Sequence, residues 1–101
     1  MDKEKLLKII NTYGVNNQQR KLAEEVFELH EAIIDAEHNR YVGIVRKPCD
    51  SCIEHIAEEI ADVMVMLEQF KLYYGISSED ITKIFWEKVD RQIKRIEEID
   101  K

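Results

Sequence analysis

The sequence predicts an all-α protein, a four-helix, bundle-like subunit completed by self-association. Three observations predict it. Three glycines and one proline among 101 residues disfavour a turn-rich β-sandwich or barrel. Apolar residues recur at intervals of three and four in four separate segments. The breaks between those segments carry helix-ending and helix-capping residues.

The first segment, from Asp2 to about Asn11, carries Leu6, Leu7, Ile9 and Ile10, and the run Tyr13-Gly14-Val15-Asn16-Asn17 reads as a turn. Asn17 is placed to cap a second helix from Gln18 to about Asn39, with Leu22, Val26, Leu29, Ile33 and Ala36 on one face. Tyr41 to Asp50 holds Gly43 and Pro48 and is expected to be a loop, with a short extended piece at Val42, Ile44 and Val45 as the alternative. Ser51 and Glu54 have the spacing of a capping box, which starts a third helix near Cys52. That helix runs through Ile56, Ile60, Val63, Leu67 and Phe70 to Tyr74, where Gly75 stops it. Ser77 or Ser78 caps the fourth, whose apolar residues are Ile81, Phe85, Val89, Ile93 and Ile96.

Composition narrows the function classes. A single domain over residues 1–101 is expected, and a chain this short buries a limited core, so wide apolar faces favour a homodimer or homotetramer. The net charge of -6 argues against a nucleic-acid polymer as partner, because backbone binding needs a basic surface. No apolar run reaches the roughly 20 residues of a membrane span, and the start Met1-Asp2-Lys3-Glu4-Lys5 lacks an apolar leader, so a cytoplasmic protein with no membrane partner is expected. The two cysteines are accordingly expected to be reduced thiols.

One feature rises above the helical background. Leu22-Ala23-Glu24-Glu25-Val26-Phe27-Glu28-Leu29 matches Ile56-Ala57-Glu58-Glu59-Ile60-Ala61-Asp62-Val63 position by position in residue character. At about 100° per residue, Glu25 falls beside Leu29 and Ala36, and Glu59 between Met66 and Phe70. Glu28 and Asp62 lie about 60° further round on their helices, and all four acids are expected to face inward. Glu24 and Glu58 point to solvent. A charged rim tolerates any mixture of charges, whereas the same carboxylate pair at the same phase on two packed helices crowds four negative charges. Such crowding costs stability unless a cation neutralises it. Carboxylate oxygens suit Mg²⁺, with Mn²⁺ as a substitute, and Mg²⁺ held by few carboxylates completes its shell with water and substrate phosphates. Lys88, Arg91 and Arg95 on the fourth helix form a cationic stripe able to meet those phosphates, Lys88 lying nearest the apolar border.

The element Glu24-Glu25-x-x-Glu28, followed after a loop by Glu59-x-x-Asp62, resembles the signature of the MazG-type all-α nucleoside triphosphate pyrophosphohydrolases. Dimeric dUTPases and phosphoribosyl-ATP pyrophosphohydrolases look like more distant relatives. The resemblance covers about Leu6 to Ile96, including helix order and the basic last helix. It implies a MazG-like fold with metal ligands at Glu25, Glu28, Glu59 and Asp62, and phosphate contacts at Lys88 and at Arg91 or Arg95. The implied reaction is Mg²⁺-dependent hydrolysis of a nucleoside triphosphate, a dNTP by expectation, between the α- and β-phosphates, giving a monophosphate and pyrophosphate. Glu28 or Glu25 would orient the attacking water or take its proton, and the catalytic set is Glu25, Glu28 and Lys88. The chain carries Trp86 where the family often has an asparagine, and its gap from Glu28 to Glu59 is slightly long, owing to the loop with Arg46 and Lys47.

Remaining signals are weaker. Trp86 and Tyr73 are the aromatic residues chosen for contact with a base, the other rings being assigned to core or subunit interface. Cys49-x-x-Cys52-x-x-His55 has a spacing at which thiolates and imidazole hold Zn²⁺, but three ligands do not close a structural tetrahedron. His30 sits on the apolar arc and is expected in the core or an interface. A di-iron carboxylate bundle needs Glu-x-x-His on two helices, and the chain offers only Asp35-x-x-His38. The non-enzymatic alternative is a helical interaction module whose acidic rim binds a basic partner.

Overall fold

The computed structural model describes residues 2–42 and 49–99, without the side chains of 39–42. Four helices follow one another: α1 (Lys3–Tyr13), α2 (Val15–Val42), α3 (Asp50–Tyr73) and α4 (Ser78–Ile99). No strand occurs among the described residues, and no helix there is long and apolar enough to cross a membrane. The loop expected from Tyr41 to Asp50 is helical at both ends, Tyr41 and Val42 closing α2 and Asp50 opening α3, so Val42 is not extended; Ile44 and Val45 of the alternative extended piece, and Arg46 and Lys47, lie outside the described residues.

The helix boundaries show where local chemistry decided differently from the expectation. Asp2 caps α1, its carboxylate accepting the backbone N–H groups of Glu4 and Lys5. The turn expected over five residues contracts to Gly14 alone, at φ 89°, a left-handed conformation that a side chain resists. The Gly14 N–H closes α1 on the Ile10 carbonyl, and the Gly14 carbonyl accepts from Gln18 in the first turn of α2. Asn17 is therefore inside α2 rather than at its cap, and its side-chain amide donates back to the Tyr13 carbonyl at 2.8 Å.

At α3 the expected Ser51–Glu54 capping box gives way to Cys49, whose sulfur accepts the Cys52 N–H at 3.2 Å. The far end of α3 closes as expected on Gly75, at φ 65°. The Ile76 N–H reaches the Lys71 carbonyl and the Gly75 N–H the Leu72 carbonyl, the paired bonds of a Schellman motif. Ser77 caps α4 by accepting the Asp80 N–H, with Glu79 and Asp80 in the first turn, where the helix dipole favours anions. Lys71 ties the two helices at this corner, bonding Glu68 at 3.0 Å and the Ser78 hydroxyl at 2.9 Å.

α2 and α3 pack most extensively, and α1 lies against both. Among the described residues the core of this three-helix body is small: Ile10, Ala32, Ala36 and Met66 are the buried apolar residues. A polar pair completes it. Gln18 of α2 donates through Nε2 to Oε1 of Gln69 of α3 at 2.9 Å, and both amides are buried. Small residues Ala32 and Ala36 give little volume to fill, so each large buried side chain carries a high share of the packing.

α4 makes no extended packing contact with the other helices and buries none of its residues. Its apolar face, including Ile81, Ile84, Phe85, Trp86, Ile93 and Ile96, is exposed in the single chain. The stripes of α2 and α3 are covered only in part: Val26, Phe27, Ile33, Ile60, Met64 and Leu67 also face solvent, as does His30. The accessible surface is 8386 Å², against about 6,000 Å² for a compact monomer of this mass. The radius of gyration is 17.5 Å, against about 13 Å for a compact domain of this length.

Because Ile10 is 1% exposed in so small a core, Ile10→Ala is expected to destabilise the fold by about 2–5 kcal/mol. Urea denaturation followed by circular dichroism measures this as a lowered midpoint.

Candidate functional site

The matched acidic segments fall on α2 and α3, the two helices that pack most extensively, and their registers bring equivalent positions together. Glu25 and Glu59 are 8% and 9% exposed, so both carboxylates sit inside the helix pair as their phase on the wheel predicts. One oxygen from each of Glu25, Glu59 and Asp62 lies within 4.8 Å of the others. Asp62 and Glu28 are exposed, contrary to the inward orientation expected for all four acids. The extra rotation of about 60° from the apolar stripe carries them past the covered strip of each helix and onto its edge.

Each buried glutamate has a basic side chain one helical turn before it. Lys21 Nζ lies 3.3 Å from Glu25 Oε1, and His55 Nε2 lies 3.3 Å from Glu59 Oε1. The duplication thus extends one position beyond the eight-residue match: Lys21 and His55 both immediately precede it. These partners engage only one oxygen of each carboxylate. Oε2 of Glu25 and Oε2 of Glu59 are enclosed and have no hydrogen-bond partner among the described residues. An enclosed carboxylate oxygen with no donor costs free energy that a neutral side chain would not. The two lie at equivalent positions on facing helices.

The charges of Glu25 and Glu59 act on neighbouring groups. The Glu28 carboxyl is held above the ordinary glutamate range, first by the charge of Glu25, then by loss of water, by the charge of Glu59 and by a hydrogen bond with Glu25, with Lys21 opposing. The folded chain therefore holds the Glu28 proton more tightly than the unfolded chain does. Folding stability from this group is present at acid pH and lost as pH rises through the elevated value. The Lys21 ammonium is raised above the ordinary lysine value by its hydrogen bond to Glu25 and then by the charge of Glu25. That contact stabilises the fold through neutral pH and is lost only as pH climbs past the lysine range.

Beside the carboxylates opens a cavity of about 450 Å³ lined by residues that include Tyr13, Gln18, Lys21, Met66 and Gln69. Lys21 joins it to the acidic cluster, and the Gln18–Gln69 pair presents amide chemistry in its wall. Tyr73 and Trp86 are not among its lining residues. Both rings are exposed, Tyr73 set edge-on to Tyr74 and Trp86 edge-on to Phe85.

The cationic stripe forms as expected on α4. Lys88, Arg91 and Arg95 line one open groove together with Phe85, Val89 and Gln92. All six belong to α4, and that helix does not pack over the carboxylates within the chain.

The cysteines differ from the expectation of free thiols. Cys49 and Cys52 are disulfide-bonded, the first turn of α3 bringing their Cα atoms to 5.2 Å, within the usual bridging range. Bonded sulfurs are not thiolates, so the Cys49, Cys52 and His55 set offers no zinc site in this state. His55 turns instead to Glu59.

Comparison with protein-family models, with curated proteins and with solved structures found no match to the chain.

Since Glu25 is the first cause of the Glu28 shift, Glu25→Gln in metal-free protein is expected to lower the Glu28 side-chain pKa toward the ordinary range. Carboxyl-detected NMR titration of both proteins measures the change.

Proposed function

We propose that this chain is a Mg²⁺-dependent nucleoside triphosphate pyrophosphohydrolase that works as an oligomer. The observation that carries the reading is the pair of enclosed, unpartnered oxygens on Glu25 and Glu59, converging with Asp62 at equivalent positions of two packed helices. Oxygen-only donors of this kind fit a hard divalent cation, with Mn²⁺ as substitute. Glu25, Glu59 and Asp62 would hold it, with Glu28 at the rim. When bound, Mg²⁺ screens the triphosphate, polarises the α-phosphoryl group and lowers the pKa of an attacking water.

The chain's own residues supply the rest. Glu28 is exposed and borders the cluster, where its carboxylate is placed to orient water and accept its proton. That water attacks the α-phosphorus, the bond to the bridging oxygen breaks, and pyrophosphate leaves from the nucleoside monophosphate. Lys88, with Arg91 or Arg95, would neutralise the phosphate oxygens. The cavity wall at Gln18 and Gln69 would take the base, with Tyr13 at its edge.

Self-association is part of this reading. The surface in excess of a compact monomer, roughly 2,400 Å², is of the size a stable interface buries. Covering the apolar face of α4 with a second copy would bring the α4 cations of one chain, and its Trp86, toward the carboxylates of another. A homodimer or homotetramer satisfies this.

Incubating a panel of ribo- and deoxyribonucleoside triphosphates with and without Mg²⁺ is expected to yield pyrophosphate and monophosphate only with the metal. Orthophosphate as first product, or turnover without a divalent ion, overturns the reading. Glu59→Gln is expected to lower turnover by more than about 100-fold with its helical circular dichroism intact. The exposed Glu24→Gln should retain it.

A further inference from the structure

The oxidised pair at the start of α3 belongs to no step of the proposed hydrolysis. Cys49 is the N-cap of a helix of 24 residues, and its sulfur faces the Cys52 N–H at 3.2 Å. A second group, the Ser51 hydroxyl, stands 3.4 Å from the same sulfur. Cys49 is exposed and Cys52 half-buried. The bridge spans a sequence separation of three. So short a loop removes little freedom from the unfolded chain, and a capped helix of this length does not need it to form. Stability is therefore a weak reason for the bond.

The surroundings favour exchange instead. In the reduced state a Cys49 thiolate would sit at the positive end of the α3 dipole, with an amide and a hydroxyl ready to donate to it. Stabilising the thiolate raises the tendency of the disulfide to accept electrons and makes Cys49 a good leaving group. Exposure makes it the sulfur that an incoming thiolate reaches first.

We propose that Cys49 and Cys52 are a reversible dithiol–disulfide pair that exchanges with low-molecular-weight thiols, with Cys49 as the reactive sulfur. An external thiolate forms a bond to Cys49 Sγ, the bond to Cys52 breaks, and Cys52 leaves as a thiolate that takes up a proton. A second external thiolate attacks the external sulfur of that mixed disulfide, and Cys49 departs with the electron pair. Two external thiolates are oxidised to one small-molecule disulfide, and the protein gains two electrons and the proton on Cys52, with a second proton on Cys49 when the pH is below that thiol's pKa. Oxidation runs the same steps in reverse. The carboxylate site takes no part, so the pair and the hydrolytic reading stand or fall separately.

The test is to equilibrate the full chain in mixtures of reduced and oxidised glutathione and count free thiols by maleimide mass shift. The expected result is full, reversible conversion between zero and two free thiols, with the midpoint inside the accessible glutathione range. Single variants assign the reactive sulfur. Cys52→Ser leaves Cys49 alone, and Cys49→Ser keeps an oxygen at the helix cap, so both are expected to retain the helical circular dichroism. Near pH 6.5, Cys49 should be alkylated at least ten-fold faster than Cys52, with a pH midpoint below the ordinary thiol value of about 8.5. A pair that stays dithiol or stays bridged at every ratio overturns the proposal. Equal alkylation rates, or a reduced form that takes up stoichiometric zinc and then resists oxidation, also overturn it.

Discussion

The rest of this structure depends on the burial of two like-charged carboxylates where α2 meets α3. Glu25 and Glu59 are among the few buried charged side chains of the described residues, and each keeps an enclosed oxygen without a donor. A core built for stability alone would place apolar side chains at these positions, because an enclosed carboxylate oxygen without a donor costs free energy. Lys21 and His55 each relieve one oxygen from the exposed flank. What they leave is concentrated negative potential facing inward, and it is felt as far as the rim, where Glu28 holds its proton above the ordinary range.

The second constraint is the division of the chain into a three-helix body and a detached fourth helix. α1, α2 and α3 bury a modest core around Ile10, Met66 and the Gln18–Gln69 pair, and α4 is fastened to them chiefly at its start, through Lys71 and Ser78. The carboxylates are on the body and the cations on α4. The proposed chemistry needs both near one triphosphate, and the apolar face of α4 needs cover. One event, association with another copy, would meet both requirements.

Much of this was legible in the sequence, for reasons that particular residues make clear. Four periodic segments gave four helices because their apolar spacing leaves no competing strand pattern, and Gly75 stopped α3 where only a left-handed residue fits. The repeat placed Glu25 and Glu59 inside the helix pair because helical phase alone determines that position. Phase could not place Glu28 and Asp62, since whether a residue 60° off the stripe is covered depends on how wide the partner helix is. The Gln18–Gln69 bond joins residues 51 apart in sequence, and no local pattern announces it. Lys21 and His55 were visible as the positions just before the repeat, yet opposite in kind to the acids that defined it. The cysteines were expected as reduced thiols, with zinc weighed beside them, and the bridge that the first turn of α3 closes was not read from their spacing.

The most direct measurement is a calorimetric titration of Mn²⁺ into metal-free protein, run in parallel on Glu59→Gln and Glu24→Gln. Saturable uptake by the unaltered chain and by Glu24→Gln, with loss of uptake in Glu59→Gln, is what converging, unpartnered carboxylate oxygens predict. Absence of uptake by the unaltered chain, or uptake indifferent to Glu59, would contradict it.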